Sequence, residues 1–261
     1  MSSNVLIGPG GTAGLGYDLG LRKISELGLG ALEVEFTHGV NMSNDTAKVI
    51  GKLASELGVA LSCHGPYFIN LASKEKIKIK ASIKRILDSC ERAHHMGATH
   101  VVYHSGFFQK QDPKKVFEMI KENTAYIMDK IKENKWKVKI APELTGKASQ
   151  FGSIPELLEL RKETGCEMTI DFAHQMARDQ GKIDYDYVFS QIKSLNHIHA
   201  HFSGIEWTAK GERRHLLTPL GNIKSLLKEV LKRKVDITII NESPDPIGDA
   251  FKMKKVLGTL I

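Results

Sequence analysis

The chain has 261 residues, 41% of them hydrophobic and 26% charged, with a formal net charge of +7. This length accommodates one large domain without requiring a second, and the balance is that of a globular protein, not a disordered or fibrous one. No apolar stretch approaches the roughly 20 residues that span a bilayer, and the first ten residues lack a basic region followed by an apolar core, so no secretory signal is expected and the expected location is cytoplasmic.

The predicted elements alternate from end to end. An apolar run at 5–8 ends in the turn cluster Gly8-Pro9-Gly10-Gly11, and helical spacing follows over 17–27. Residues 31–36 alternate as a strand, Leu32, Val34 and Phe36 against Glu33 and Glu35, and a helix over 47–57 stops at Gly58. The third strand, 59–63, leads into His64-Gly65-Pro66-Tyr67, and a long amphipathic helix over 74–96 closes at Gly97. The fourth strand with its exit turn covers 100–106 and the next helix 113–133. Strand 138–141 enters Pro142-Glu143, helix 154–164 ends at Gly165, strand 168–171 ends in Asp171, and a helix is expected over 184–194. The seventh strand spans 197–203, and the basic stretch 210–215 reads as a loop before a helix over 223–232. Strand 237–241 carries Glu242 at its tip, and the last helix covers 246–257.

Eight strand–helix units without a linker or repeat imply parallel pairing and a single (β/α)8 TIM barrel spanning 1–261. In such barrels the carboxyl ends of the strands face the site. There this chain places His64, His104, Glu143, Asp171, one or both of His199 and His201, and Glu242, with His174 and His215 on the following loops. One histidine at a strand end is more often a hydrogen-bonded wall residue than a ligand. Six consecutive strands carrying neutral imidazoles and carboxylates at the same end are the donor set of zinc and similar divalent ions. His199 and His201 share a strand face, with spacing leaning to His199 as the ligand. Glu143 offers two oxygens and is suited to bridging two ions. His94, His95, His100 and His197 lie on a helix or at strand starts and are not expected to bind metal; His38, at the end of strand two, is a candidate substrate contact.

Cys63, Cys90 and Cys166 are widely spaced, with no C-x-x-C pair, and read as packing residues. The positive balance favours polyanionic partners such as nucleic acid. Tyr67 and Phe68, just past His64, are candidates to stack against a base or sugar or else to pack their loop, and Lys210, Arg213 and Arg214 to meet phosphates or simply to be solvated.

With these residues assembled, the chain resembles the endonuclease IV family of apurinic/apyrimidinic endonucleases, which has a xylose-isomerase-like barrel. The likeness runs over essentially the whole length, through His64-Gly65-Pro66-Tyr67-Phe68-Ile69-Asn70-Leu71-Ala72-Ser73, Tyr103-His104-Ser105-Gly106, Pro142-Glu143-Leu144-Thr145-Gly146, Asp171-Phe172-Ala173-His174 and Asn241-Glu242-Ser243-Pro244-Asp245. The resemblance implies a zinc-dependent hydrolase that cleaves duplex DNA on the 5′ side of an abasic site during base excision repair. It implies a first zinc on His64, His104 and Glu143, and a second on Glu143, Asp171, a strand-seven histidine and Glu242. A third would rest on His174 and His215, with Glu143, Asp171 and Glu242 at the chemistry and Tyr67 near the abasic sugar. Two or three ions are expected, zinc or another divalent metal such as manganese. The chain departs from the family pattern where an Asp is expected two residues before His215 and Arg213 stands instead; Glu212, one residue earlier and one carbon longer, is the candidate substitute, without which the third position would be weak. It also reads His201-Phe202-Ser203-Gly204 where the family has Asn-Asp after the histidine. A monomer is the expected state. Rival expectations are a metal-dependent sugar isomerase or epimerase on the same barrel, and a DNA-binding protein without catalysis.

Overall fold

In the computed structural model, which describes residues 4–261, strands and helices alternate along the chain. Met1 to Ser3, part of the stretch read for a secretory signal, lie outside that range. The order begins β1 (Val5–Pro9), α1 (Tyr17–Glu26), β2 (Ala31–Glu35), α2 (Asn44–Glu56), β3 (Ala60–His64), α3 (Lys76–Met96), β4 (His100–Tyr103) and α4 (Pro113–Glu133). It continues with β5 (Lys139–Pro142), α5 (Ile154–Thr164), β6 (Thr169–Asp171), α6 (Phe172–Arg178), α7 (Tyr185–Gln191), β7 (Ile198–Phe202), β8 (Gly204–Thr208), β9 (Gly211–Leu216), α8 (Leu220–Arg233), β10 (Ile237–Asn241) and α9 (Pro246–Leu260). Strands β1, β10, β7 and β6 form one parallel sheet in that order, and β2, β3, β4 and β5 another. Parallel bridges Gly10–Glu33 and Glu143–Thr169 join the two sheets, so the eight strands close as a (β/α)8 barrel.

Period-two alternation decides which side chains enter the barrel. Leu32, Val34, Leu61, Val101, Ile140, Ile170, Ala200 and Ile239 leave the strands outward and pack against Leu21, Ile24, Ile50, Ile86, Ile120, Leu157, Val188, Leu226 and Met253 of the helix layer. Burying each large aliphatic side chain there contributes about 1.5–3 kcal/mol, which makes this layer the main source of stability. The three cysteines belong to it as free, buried thiols, and burial pushes the Cys166 thiol up to about 11. The inner face is polar: Glu33, Ser62, His199, His201, Thr169 and Thr238 are all buried. Both faces of a barrel strand are covered, so the Glu33/Glu35 side of β2, which reads in sequence as the polar half of an alternation, is the barrel interior.

Three stretches differ from the sequence expectation. Most of the basic stretch 210–215 belongs to strand β9 (Gly211–Leu216), paired antiparallel with β8 as a hairpin over the barrel mouth, with Lys210 in the turn. The single helix expected over 184–194 is preceded by α6, because the Asp171 Oδ1 accepts the backbone N–H of His174 at 2.7 Å and starts a helix directly from the strand. Helix α2 begins earlier than expected, at Asn44, where the Ser43 hydroxyl caps the N–H of Thr46 at 3.0 Å.

Candidate metal centre

Register at the strand ends assembles the site. Residues Glu35 and His64 are paired across β2 and β3, and Asp171 and His201 across β6 and β7. Glu143 follows β5, with its N–H bonded to the Tyr103 carbonyl, and Glu242 follows β10 with its N–H on the Phe202 carbonyl. Among the described residues five donor groups result, each with ligand atoms within 4.8 Å of one another: three at the mouth, namely His64, His104 and Glu143; Glu143, Asp171, His201 and Glu242; and His174, Glu212 and His215; and two that include Glu33, namely Glu33, His199 and His201, and Glu33, Glu35 and Glu242. Glu143 is shared by the first two. Its Oε2 lies 3.1 Å from His64 Nε2 and 2.9 Å from His104 Nε2, while its Oε1 lies 3.1 Å from His201 Nδ1 and 3.3 Å from His174 Nδ1. The Glu242 Oε1 stands 3.3 Å from His201 Nδ1.

Ring orientation is fixed from behind. The Nδ1–H of His64 donates to the Gly65 carbonyl at 2.8 Å and that of His174 to the Leu144 carbonyl at 2.9 Å, since a carbonyl can only accept. His215 Nδ1 is 2.8 Å from the Ser203 hydroxyl. Each ring therefore presents Nε2 to the site, as backbone-anchored metal-binding imidazoles do. The buried Asp171 Oδ2 and His174 Nε2 have no hydrogen-bond partner, and both belong to these groups. Such unspent lone pairs on a carboxylate and on an imidazole with its other nitrogen tied fit a divalent cation.

The charges are mutually compensating. Burial alone would raise the Glu143 carboxyl, yet His104 and His201 beside it hold it well below the usual carboxylate range. Against its own burial, His64 is raised to about 10 by its hydrogen bond to Glu143, and His174 to about 10 chiefly by Asp171. Glu242 falls to about 2: burial opposes the drop and His201 drives it. Glu35 is the exception. Burial, reinforced by Glu33 and Glu242, pushes its carboxyl up to about 8 despite His64.

Of the two strand-seven histidines, His201 joins the Glu143–Asp171–Glu242 group, while His199, toward which the sequence leaned, groups with Glu33 and His201. His199 is two residues deeper, roughly 6.6 Å down the barrel at strand rise, and its Nε2 meets Glu33 Oε2 at 2.9 Å. Glu212 does reach the third group, with its Oε2 3.4 Å from His174 Nε2. The hairpin explains how. His215 pairs with Ile205 and Glu212 with Trp207, two residues apart on β8, while Arg213 is the extra residue of a bulge at Glu206/Trp207. The bulge returns Glu212 to the face of His215 although they are three apart in sequence. Docking needs a close approach: a Cβ on Gly146 would sit 2.5 Å from the Glu212 Cβ, and the Glu212 N–H bonds the Gly146 carbonyl at 3.0 Å.

Arg213 and Arg214 are turned away, paired on the exposed hairpin with Glu206 at 2.7 and 2.5 Å. Tyr67 and Phe68, 61% and 62% exposed, stand at the lip, where the His38 ring stacks on Phe68 at 6.4 Å and meets Tyr67 edge-on. Lys210 lines a separate surface pocket with Arg178. A cavity of about 370 Å3 over the donor groups is lined by Glu35, Tyr67, Lys147 and Gln150 as well as by the ligand types. Sequence reading missed Glu33, Glu35, Lys147 and Gln150. The two glutamates carried a usable signal, a charged pair on a strand that a barrel covers on both sides; Lys147 and Gln150 carried none. Among the described residues His38, His94, His95, His100 and His197 join none of the donor groups.

Comparison with known proteins shows the family of the fold. The model of the xylose isomerase-like TIM barrel family matches residues 21–258. An uncharacterized protein of Methanocaldococcus jannaschii is 35% identical over 251 residues, covering 91% of this chain and 90% of its own. A Metamycoplasma arthritidis protein named "Probable endonuclease 4" is 28% identical over 199 residues, 69% of this chain and 68% of its own. Among solved structures, SacUVDE superposes with a TM-score of 0.74 at 17% identity, covering 94% of this chain and 85% of its own. Endonuclease IV from Thermus thermophilus superposes at 0.71 and 17%, with 98% of each chain covered. L-ribulose 3-epimerase superposes at 0.72 and 12%, covering 99% of this chain and 94% of its own. At these identities the structural likeness is one of fold.

Proposed function

The chain belongs to the xylose isomerase-like TIM barrel family, and from that premise we propose that it is a metal-dependent phosphodiesterase, zinc its expected ion, that incises duplex DNA 5′ to abasic sites. The observation that carries this reading is the presence of three donor groups at the mouth, two of which share Glu143. A sugar isomerase or epimerase on this barrel works with one or two ions, for which the Glu143–Asp171–His201–Glu242 group would be enough. His64 with His104 on one side, and His174, Glu212 and His215 on the other, extend that group toward the open mouth.

Divalent ions held there would supply charge neutralisation and water activation for a phosphoryl displacement. The chain's own residues supply the rest. Glu143 places one oxygen toward each of two groups, which fixes their separation. Backbone carbonyls hold His64 and His174 in the tautomer that leaves Nε2 free. Tyr67, Phe68 and His38 form an aromatic lip suited to packing on a sugar that has left the base stack. Lys147, half-buried at the cavity wall, is a cation for a phosphate oxygen, and the net charge of +7 favours a polyanionic partner. The names of two relatives, a probable endonuclease 4 and endonuclease IV, support the same chemistry. The epimerase reading draws on fold likeness to L-ribulose 3-epimerase. No described helix is long and apolar enough to cross a membrane.

The test is incubation of zinc- or manganese-loaded protein with a duplex carrying one abasic site and, separately, with free ketoses. Incision on the 5′ side of the lesion is expected. An intact duplex across varied metal and salt, together with epimerised ketose, would overturn the proposal.

A further inference from the structure

We infer that Glu33 is a positioning residue for the metal centre: its carboxylate faces Nε2 of His201 and turns the opposite nitrogen, Nδ1, toward Glu143, Asp171 and Glu242. This rests on the reading that an ion is held by those residues.

His64, His174 and His215 each tie Nδ1 to a carbonyl or hydroxyl oxygen and present Nε2. His201 is mounted the other way round. Its Nδ1 faces the donor group, 3.1 Å from Glu143 and 3.3 Å from Glu242, and its Nε2 points down the barrel. Nothing on the backbone holds that nitrogen. What stands there is Glu33 Oε1, in ion-pair contact 2.8 Å away, and neither atom has a hydrogen-bond partner.

Glu33 is itself fixed. Its other oxygen, Oε2, accepts the Ser62 hydroxyl at 2.6 Å and lies 2.9 Å from His199 Nε2. Two partners on one oxygen set the plane of the carboxylate and leave the second oxygen for His201. A fully buried carboxylate is costly unless each oxygen is used, so its place at the floor of this barrel calls for a partner on Oε1. An imidazole that gives one N–H to a carboxylate has its lone pair fixed on the other nitrogen and made more basic, which is the arrangement that tunes metal-bound histidines.

The test uses the full chain and zinc alone as the probe. Zinc dissociation constants are measured by competition with a chromophoric chelator for wild type and Glu33→Gln, with folding checked by circular dichroism. One ion weakened about 10–100-fold and the others unchanged is the expected result. A folded Glu33→Gln protein with wild-type affinity for every ion would overturn the inference. Histidine nitrogen NMR of the zinc-loaded wild type gives a readout that needs no variant: the His201 proton is expected on Nε2, and a proton on Nδ1 overturns the assignment. An extra ion bound by Glu33 and His199 would also overturn it, since that carboxylate would then be a ligand. A wild type that binds no zinc sinks the metal reading as well, whereas zinc-loaded wild type with an unaffected Glu33→Gln sinks the role of Glu33 alone.

Discussion

His199 and His201 sit two residues apart on one strand face, and depth in the barrel gives them different work. His201 is level with Asp171 and touches Glu143 and Glu242, while His199 lies below, stacked on His100 at 5.0 Å and paired with Glu33. Removing each ring therefore has separable consequences. His201→Ala takes a donor from the four-residue group and removes the imidazole that stands between Glu143 and Glu242. Elemental analysis of His201→Ala should show one ion fewer per chain than wild type. His199→Ala should keep the full metal content and lose stability, because Glu33 gives up one of its two Oε2 partners. The opposite pattern, with metal lost from His199→Ala alone, would return the ligand role to His199.

The hairpin β8–β9 is the element that completes the site, and its bulge makes Glu212 a member of the third group. Glu212→Ala should lower metal content by one ion while the first two groups stay filled; unchanged content would mean that His174 and His215 suffice. Most of the architecture was legible in the sequence because barrel strands announce themselves by apolar runs and turn residues, and because Asp171, Glu143 and Glu242 follow those runs directly. The hairpin was not, since Gly-Glu-Arg-Arg-His-Leu has no apolar alternation and owes its pairing to docking against Gly146. Nor was the choice of Glu212 over Arg213, which depends on one residue bulging from a ladder that periodicity cannot see. Helix α9 gives a second check at this scale. Its Asp249 Oδ2 accepts the Thr218 N–H at 2.5 Å and its Oδ1 pairs with Lys252, which anchors the segment before α8. Burial opposes ionisation of Asp249, but the bonds from Lys252 and Thr218 prevail and lower its pKa. An unfolded Asp titrates near about 3.9, so this contribution is fully present above about pH 4 and is lost as pH falls through the lower folded value. Asp249→Asn should cost about 2 kcal/mol near neutrality, or about 4–8 °C in Tm, and should flatten the acid limb of the stability curve. Melting curves across acid pH that overlay those of wild type would refute this role.

At the scale of the molecule the barrel is two four-stranded parallel sheets that meet at single bridges, Gly10–Glu33 and Glu143–Thr169. The candidate ligands are split between them. His64, His104 and Glu143 leave the ends of β3, β4 and β5, whereas Asp171, His201 and Glu242 leave β6, β7 and β10. Ions shared across Glu143 would therefore fasten one sheet to the other at the mouth, beside the bridge that Glu143 makes with Thr169. The unfolded chain scatters these residues over nearly 180 positions, from His64 to Glu242, and holds no preformed site. Ligation then counts wholly toward the folded state: at a free concentration one hundred times its Kd, one ion contributes about 2.7 kcal/mol. For a chain of this size that is about 5–10 °C in Tm per ion. Chelated protein should melt earlier than zinc-loaded protein by at least that interval, with the increment growing as zinc is raised. Glu143→Ala tests the fastening itself, because it removes the residue that the His64–His104 group shares with Asp171, His201 and Glu242. Its melting temperature should respond to zinc far less than that of wild type, and an undiminished response would show that the two sheets are not joined through Glu143.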